Sequence, residues 1–172
     1  QGVIAALKDL HKKGIIHRDI SPDNIIMCKD GTVKLIDFGA ARFTVETEEE
    51  RTRSIILKPG FSPAEQYQSK GKQGPWTDIY ALGATMYRAI TGVLPEESTD
   101  RVVNDELKEP IYYAPQMPQY LNNILMKCMA VQPELRFQTV ESLEAALYRK
   151  RKITSTKKEL FRRKLARAVL IA

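Results

Sequence analysis

The sequence has few cysteines and no long apolar run, and these absences exclude several classes of protein. Its two cysteines, Cys28 and Cys128, lie far apart without metal-ligand spacing, so reduced, packed thiols are expected rather than a disulfide framework. No stretch reaches the roughly 18 apolar residues of a membrane span, and residues 1–10 lack a signal-peptide pattern. Hydrophobic residues at 43% and charged residues at 28% exclude a disordered or collagen-like chain and indicate one globular domain.

The net positive charge belongs to one end of the chain. The formal charge is +6, but residues 149–172 alone contain ten Lys or Arg against one Glu. Residues 1–148 contain seventeen basic and twenty acidic residues, so this part is faintly acidic. A nucleic-acid-binding fold would carry a positive patch on the fold itself, and nucleic acid is therefore not an expected partner.

Hydrophobic periodicity predicts four helices. One amphipathic helix precedes Gly14, a typical residue just beyond a helix end. Residues 77–91 are apolar on every face and stop at Gly92, which predicts a helix buried inside the domain. Two further amphipathic helices are predicted, one from Pro118 and one from near Thr139.

Short β-structure and a long loop lie between the first helix and the buried one. Residues 24–29 and 32–36 read as two strands joined by a turn at Asp30-Gly31. Residues 40–60 show no period and include an acidic run, which predicts a long loop. Long loops in compact domains are usually functional or mobile.

Several short motifs follow one another in a fixed order. H-R-D-I-S-P-D-N occupies residues 17–24, and Asp37-Phe38-Gly39 follows the second predicted strand. Ser62-Pro63-Ala64-Glu65 comes next, then D-I-Y-A-L-G at residues 78–83, then Arg136 after a proline. In this order and on these elements, the chain resembles the eukaryotic-type protein kinase family, with its H-R-D-x-x-x-x-N and D-F-G motifs.

The resemblance covers residues 1–148 and implies a fold and an activity. The implied fold is mainly α, the C-terminal lobe of a protein kinase with a short β-hairpin at its active edge. Residues 149–172 form a separate basic, juxtamembrane-like segment. The implied activity is transfer of the γ-phosphate of ATP to serine or threonine hydroxyls of a protein substrate. Pro22 favours Ser/Thr over Tyr substrates.

Three oxygen-bearing side chains are the candidates for the chemistry. Phosphoryl transfer needs metal ions that neutralise phosphate charge and a group that orients the attacking hydroxyl. Asn24 and Asp37 supply hard oxygen ligands suited to Mg²⁺, with Mn²⁺ as an alternative. Asp19 would accept or orient the proton of the substrate hydroxyl. A single such residue would more often cap a turn, but the spacing of all three matches the family.

Other motif residues are expected to act as scaffold. By the resemblance, His17 and Phe38 belong to a hydrophobic column that reaches toward the other lobe. Glu65 and Arg136 form a buried ion pair, in which loss of one partner would strand the other charge. Asp78 accepts hydrogen bonds from the backbone of the catalytic loop, residues 17–24.

Two positions depart from the family pattern. Ser/Thr kinases carry Lys two residues after the catalytic Asp, where Ser21 stands here, and Thr seven residues before the A-P-E glutamate, where Lys58 stands here. These positions touch in the family, so we hypothesise that Lys58 returns the missing charge to the site beside Asp19. The alternative is that Lys58 is a solvated loop lysine and that Ser21 marks a weakened enzyme.

Arg18 precedes the catalytic Asp and suggests control by phosphorylation. In the family, this arginine often binds a phosphate on the activation segment, here residues 37–65, and orders the segment. Glutamates at 48–50 are an alternative occupant of the same basic pocket. The candidate phosphosites are Thr44, Thr47, Thr52 and Ser54.

The parts that cover ATP in the family are absent from this sequence. It contains neither G-x-G-x-x-G nor a V-A-I-K lysine, so the N-lobe is expected upstream or on another chain. Weak ATP and Mg²⁺ binding and no phosphotransfer are predicted for these residues alone. An exposed lobe interface near Ile26 and Phe38 would favour self-association. A non-catalytic, pseudokinase-like regulatory or docking module is the alternative function.

The basic tail and several motif variants bear on location. The sequence of residues 60–67 and the serine at position 21 resemble those of bacterial kinases, many of which are membrane-anchored. Residues 149–164 are rich in Lys and Arg, and the chain ends in apolar residues. Contact with an anionic membrane on its cytoplasmic face is therefore predicted, with a solvated or packed C-terminal helix as the alternative. The expected location is cytoplasmic.

Overall fold

The computed structural model describes residues 2–43 and 57–148, which form a mainly helical fold. The helices are α1 (Gly2–Lys12), α2 (Pro75–Thr91), α3 (Ser98–Val103), α4 (Pro110–Tyr113), α5 (Gln119–Cys128) and α6 (Val140–Tyr148). The strands are β1 (Ile15–Ile16), β2 (Ile25–Met27), β3 (Val33–Leu35) and β4 (Arg42–Phe43). Single 3₁₀ turns lie at Pro22–Asn24, Ala64–Gln66 and Pro133–Leu135.

Helix α2 runs through the centre of the molecule. Pro75 fits the first turn of α2, because backbone N–H groups there have no acceptor within the helix and the missing N–H of proline costs no hydrogen bond. The Thr77 hydroxyl accepts the Gly74 N–H at 3.2 Å, and Gly92 ends the helix at a φ of 72°. Residues 77–85 are all buried, and the helix packs chiefly on α5, so every face of α2 is covered.

The main hydrophobic core joins α1, α2, α5 and α6 beneath the β2–β3 hairpin. Cys128 on α5 is buried within it, where desolvation raises the pKa of its thiol to about 12. A Cβ on Gly83 of α2 would lie 2.6 Å from Cβ of Cys128, so the two helices approach closely only with glycine there. Both cysteines are free.

Two small antiparallel sheets lie at one edge of the helices. Strands β2 and β3 pair in the register Ile25↔Leu35 and Met27↔Val33, and Cys28 N–H donates to Thr32 O at 2.8 Å near the turn. Strands β1 and β4 pair as Ile15↔Phe43 and Ile16↔Arg42. The second pairing places the residues after the D-F-G motif beside those before the H-R-D motif.

The four predicted helices are present, with some differences elsewhere. The hairpin strands are shorter than predicted, with three residues each. The sequence pattern did not predict β1, β4, α3 or α4, which are too short to show a period. In the part of the chain that the structure describes, no helix combines the length and the apolar character needed to cross a membrane.

Candidate functional site

The catalytic loop is fixed from below by a carboxylate on the buried helix α2. The two oxygens of Asp78 accept the backbone N–H groups of His17 and Arg18, each at 2.9 Å. Nε2 of His11, on α1, lies 2.7 Å from Oδ2 of the same carboxylate. Asp78 is fully buried, so these contacts replace the water that its charge would otherwise need. The loop backbone is therefore held in one conformation.

A strained turn at Arg18 directs the next side chain into the site. Arg18 has a φ of 69°, in the left-handed region that costs most residues energy. The amide Nε2 of Gln66 donates to the Arg18 carbonyl at 2.8 Å, and Asp78 binds its N–H. Hydrogen bonds on both sides of the residue hold this conformation, and Asp19 follows directly after it.

Asp19 and Asn24 are joined directly. The amide Nδ2 of Asn24 donates to the Asp19 carbonyl at 2.7 Å and to Oδ2 of Asp19 at 2.8 Å. Both residues are buried, at 8% and 6% exposure. Because the amide nitrogen faces Asp19, the amide oxygen of Asn24 is the atom left for a cation.

Asp37 lies next to this pair because of the hairpin register. Ile36 N–H donates to Asn24 O at 2.9 Å, so the residue after Ile36 follows directly beside Asn24. Asp37 has a φ of 59°, and its Oδ1 accepts the N–H of Gly39 at 3.0 Å. Among the described residues, no hydrogen bond reaches its second oxygen. The structure thus brings Asp19, Asn24 and Asp37 to the same edge.

These residues fit a magnesium–triphosphate group. Mg²⁺ is usually held by one or two protein oxygens together with phosphate oxygens, not by a complete protein cage. The amide oxygen of Asn24 and the second carboxylate oxygen of Asp37 provide such a pair. Within residues 2–43 and 57–148, no three His, Cys, Asp or Glu side chains form a metal cluster. The two oxygens from Asn24 and Asp37 match the few protein ligands that Mg²⁺ takes when phosphate oxygens complete its coordination.

Lys58 reaches this site from the activation segment. Its amine Nζ donates to the Ser21 hydroxyl at 2.8 Å and lies 3.2 Å from Oδ1 of Asp19. Oδ2 of Asp23 is 3.7 Å from the same amine. The Lys58 side chain is 27% exposed, so it is only partly solvated. The two positions that depart from the family pattern, Ser21 and Lys58, are in direct contact. The positively charged amine of Lys58 lies beside Asp19.

Two aromatic rings of the motifs lie in contact at the exposed edge. The ring centroids of His17 and Phe38 are 5.1 Å apart with a tilt of 59°. His17 is fully buried, and its Nδ1 accepts the N–H of Asp19 at 3.3 Å. Phe38 is 50% exposed. His17 therefore packs and orients the loop, while one side of Phe38 is open to a neighbour.

Glu65 and Arg136 form a bidentate buried pair beneath the activation segment. Their N–O distances are 2.6 and 3.1 Å, and the side chains are 6% and 0% exposed. Thr77 adds a hydroxyl donor to Glu65 at 3.1 Å. The guanidinium also lies over the ring of Tyr80, 4.7 Å from its centroid. This pair joins the end of the segment to the loop before α6.

Some predicted sites lie outside the described residues. The candidate phosphosites Thr44, Thr47, Thr52 and Ser54 and the basic segment 149–172 belong to this group. Phosphate binding by Arg18 and membrane contact by the tail therefore stay predictions.

Three contributors to the site were not singled out from the sequence. Gln66 holds the Arg18 carbonyl, His11 contacts Asp78, and Ser62 bonds the backbone of Lys58. Gln66 and Ser62 flank or belong to the Ser62–Glu65 motif, so proximity to a motif was the available signal. Their partners are backbone groups, which every residue has and which leave no mark in a sequence.

Comparison with known proteins gives one family. The model of the protein kinase domain matches residues 1–148. Tyrosine-protein kinase MasK of Myxococcus xanthus is 38% identical over 140 residues, or 77% of this chain and 21% of MasK. Serine/threonine-protein kinase PrkC of Bacillus subtilis is 31% identical over 149 residues, or 83% of this chain and 23% of PrkC.

A solved structure shares the fold. PpkA-294 in its apo form superimposes with a TM-score of 0.71 at 38% identity, covering 84% of this chain and 50% of that one. The expected fold, a mainly α kinase C-lobe with a small hairpin, is confirmed. The chain spans about a fifth of the length of the two curated relatives.

Proposed function

The chain belongs to the protein kinase family, and from this premise we propose that it forms the phosphotransfer lobe of an ATP-dependent protein serine/threonine kinase. The observation that carries the proposal is the cluster of Asp19, Asn24 and Lys58, joined by contacts of 2.8–3.2 Å beside Asp37. Such a cluster provides what phosphoryl transfer requires, namely a hydroxyl-orienting carboxylate, metal ligands and a nearby cation.

Each residue has a defined part in the proposed reaction. The substrate hydroxyl oxygen bonds to the γ-phosphorus, the bond from phosphorus to the β–γ bridging oxygen breaks, and ADP leaves. Asp19 orients the hydroxyl and receives its proton. Asn24 and Asp37 hold Mg²⁺, which neutralises phosphate charge when it is bound. Lys58 stabilises negative charge on the transferring phosphoryl group.

Lys58 replaces the catalytic-loop lysine in this proposal. Ser21 is fully buried beneath the Lys58 amine, so its hydroxyl serves as a hydrogen-bond acceptor for the cation rather than as a nucleophile. The amine also faces Oδ1 of Asp19, the side of the carboxylate that Asn24 leaves open. A solvated loop lysine would not need two such contacts, which favours the catalytic interpretation.

Exchange of the two departing positions tests this role. In the complete kinase domain, Lys58→Ala should lower kcat about 10²-fold, as loss of a transition-state donor does, with little change in the KM for ATP. Ser21→Lys combined with Lys58→Thr should restore most of the turnover, because it returns the charge to the catalytic loop. Lys70→Ala, which removes an exposed lysine elsewhere, is the control. Full turnover in Lys58→Ala would contradict the proposal.

The acceptor residue is a separate part of the proposal. Pro22 lies three residues after Asp19, as in the Ser/Thr members of the family, while MasK is named a tyrosine kinase. Phosphoamino-acid analysis of a generic acceptor protein should therefore find phosphoserine and phosphothreonine. Detection of phosphotyrosine alone would contradict this part of the proposal and indicate a tyrosine kinase. If the wild-type complete domain transfers no more phosphate than Asp19→Asn and both stay at background, a non-catalytic module becomes the better interpretation.

The residues of this chain alone are proposed to be inactive. They include no glycine-rich loop to cover the phosphates and no lysine in a V-A-I-K context. Positioning contributes up to about 7–11 kcal/mol in organised sites, and here half of the positioning groups are missing. Transfer of label from ATP by this polypeptide would refute that part.

A further inference from the structure

The backbone of Lys58 begins a tight turn. The Lys58 carbonyl accepts the N–H groups of Phe61 and Ser62, both at 2.9 Å. Pro59 occupies the second turn position and Gly60 the third, with a φ of 79°. Proline and then a positive-φ glycine is the pattern of a type II turn. The direction in which the Lys58 side chain leaves the segment is thus set locally.

Ser62 closes this turn on both sides. Its N–H donates to the Lys58 carbonyl, and its hydroxyl Oγ accepts the Lys58 N–H at 2.9 Å. The residue is buried, with 4% exposure. A partly buried N–H that loses its acceptor carries a desolvation cost, so the turn would shift to find another partner.

Ser62 is itself fixed to the helical part of the domain. The hydroxyl of Ser98, the first residue of α3, donates to the Ser62 carbonyl at 2.8 Å, and Ser98 is 1% exposed. The turn also packs tightly, since a Cβ on Gly60 would lie 2.8 Å from Leu94 and 2.9 Å from Pro95 O. A continuous path of hydrogen bonds therefore runs from α3 through Ser62 and Lys58 to Ser21.

We propose that Ser62 is a positioning residue for Lys58, acting through the Lys58 backbone and not on the substrate. This inference rests on the proposed catalytic role of Lys58. The amine makes contacts of 2.8 and 3.2 Å with Ser21 and Asp19, and a backbone shift of about 1 Å would break them. In the usual arrangement, with the lysine on the catalytic loop, the same shift would leave the cation in place.

Double-mutant cycles in the complete kinase domain test the inference. Ser62→Ala should lower kcat about tenfold, with an unchanged KM for ATP. In a Lys58→Ala background, the same substitution should cause no further loss, because the side chain that it positions is gone. In the Ser21→Lys, Lys58→Thr background, it should again leave kcat unchanged.

The controls separate positioning from folding. Ser142→Ala on α6 removes an exposed serine hydroxyl far from this turn and should leave kcat as in the wild type. Ser62→Cys is nearly isosteric but accepts hydrogen bonds weakly, so it should lower kcat as Ser62→Ala does. Additive losses in the Lys58→Ala background would assign Ser62 a structural role and overturn the inference. Failure of both Ser62 variants to fold, with Lys58→Ala folded, would overturn it as well.

The outcomes also distinguish the inference from its premise. If Lys58→Ala keeps full turnover, the proposed role of Lys58 and the inference fail together. If Lys58→Ala is slow and Ser62→Ala is as fast as the wild type, the role of Lys58 stands and only the positioning role of Ser62 fails.

Discussion

At the scale of single residues, the chain contains one buried and one partly exposed ion pair. Glu65 and Arg136 are almost fully buried and make two hydrogen bonds to each other. Lys8 and Glu144 link α1 to α6 at 2.6 Å, with side chains 26% and 30% exposed. Water screens the second pair, whereas removal of one partner of the first leaves a charge in the interior.

We therefore expect different costs for the same substitution. Glu65→Gln should lower the unfolding free energy of the kinase domain by about 3–5 kcal/mol, because the Arg136 charge remains buried without its counter-ion. Glu144→Gln is the matched control and should leave stability close to that of the wild type. Urea titration followed by circular dichroism gives both values. Equal stability of the two variants would contradict the assigned importance of burial.

The residues of the site could be foreseen to different degrees. Asp19, Asn24 and Asp37 could be singled out because the family motifs fix their spacing. Lys58 could be suspected because two departures occurred at positions that touch in the family. Ser62 could not, because its contacts with Lys58 go to backbone atoms, and backbone bonding depends on a turn whose geometry a single sequence does not display.

At the scale of elements, the Pro59-Gly60 turn requires glycine for two reasons. Its φ of 79° is in the region that other residues adopt only with strain, and Leu94 and Pro95 leave no space for a Cβ. Gly31, in the turn between β2 and β3, has a similar φ of 80° but nothing within 4 Å of its Cβ position. A side chain at Gly31 would therefore meet backbone strain alone, whereas a side chain at Gly60 would meet both backbone strain and steric crowding.

Alanine at each glycine measures the two effects. Gly31→Ala should cost about 1 kcal/mol of stability, the strain alone. Gly60→Ala should cost about 1–3 kcal/mol more from overpacking and should also lower kcat, because it moves the turn that carries Lys58. Thermal unfolding and turnover of the two variants are compared. The explanation would be wrong if Gly60→Ala were no less stable than Gly31→Ala.

Element length decided which parts of the fold were predictable. Helices α1, α2, α5 and α6 have nine to seventeen residues, enough for the helical period to appear. Helices α3 and α4 have six and four residues, and β1 and β4 have two each. Elements this short are held by tertiary contacts, such as the hydrogen bond from Ser98 to Ser62, which local pattern does not encode.

At the scale of the whole molecule, several exposed apolar side chains lie at the edge that carries the site. Ile26 and Met27 on β2 are 45% and 78% exposed, and Phe38 is 50% exposed. In the family, this edge faces the N-lobe. Apolar side chains grouped beside a functional edge favour association with another surface.

We expect the 172-residue chain by itself to self-associate through this surface. Its average mass in sedimentation velocity should rise with concentration, and Met27→Lys should weaken the rise by adding charge to the interface. Val103→Lys is the control, because Val103 is 89% exposed on α3, away from the hairpin. A monomer at every concentration, or an equal effect of the two lysines, would argue against this use of the surface.

The contact between Ser21 and Lys58, which joins positions 37 apart in the chain, also bears on how kinases are sorted into active and silent members. A classification based on motif residues alone finds no lysine at position 21 and assigns the sequence to the inactive relatives. A classification based on the charged groups that contact Asp19 finds a lysine, Lys58, at the site. Where two segments meet in space, the residues of a site have to be identified by their contacts in three dimensions. A side chain that is missing from one segment can be supplied by the other.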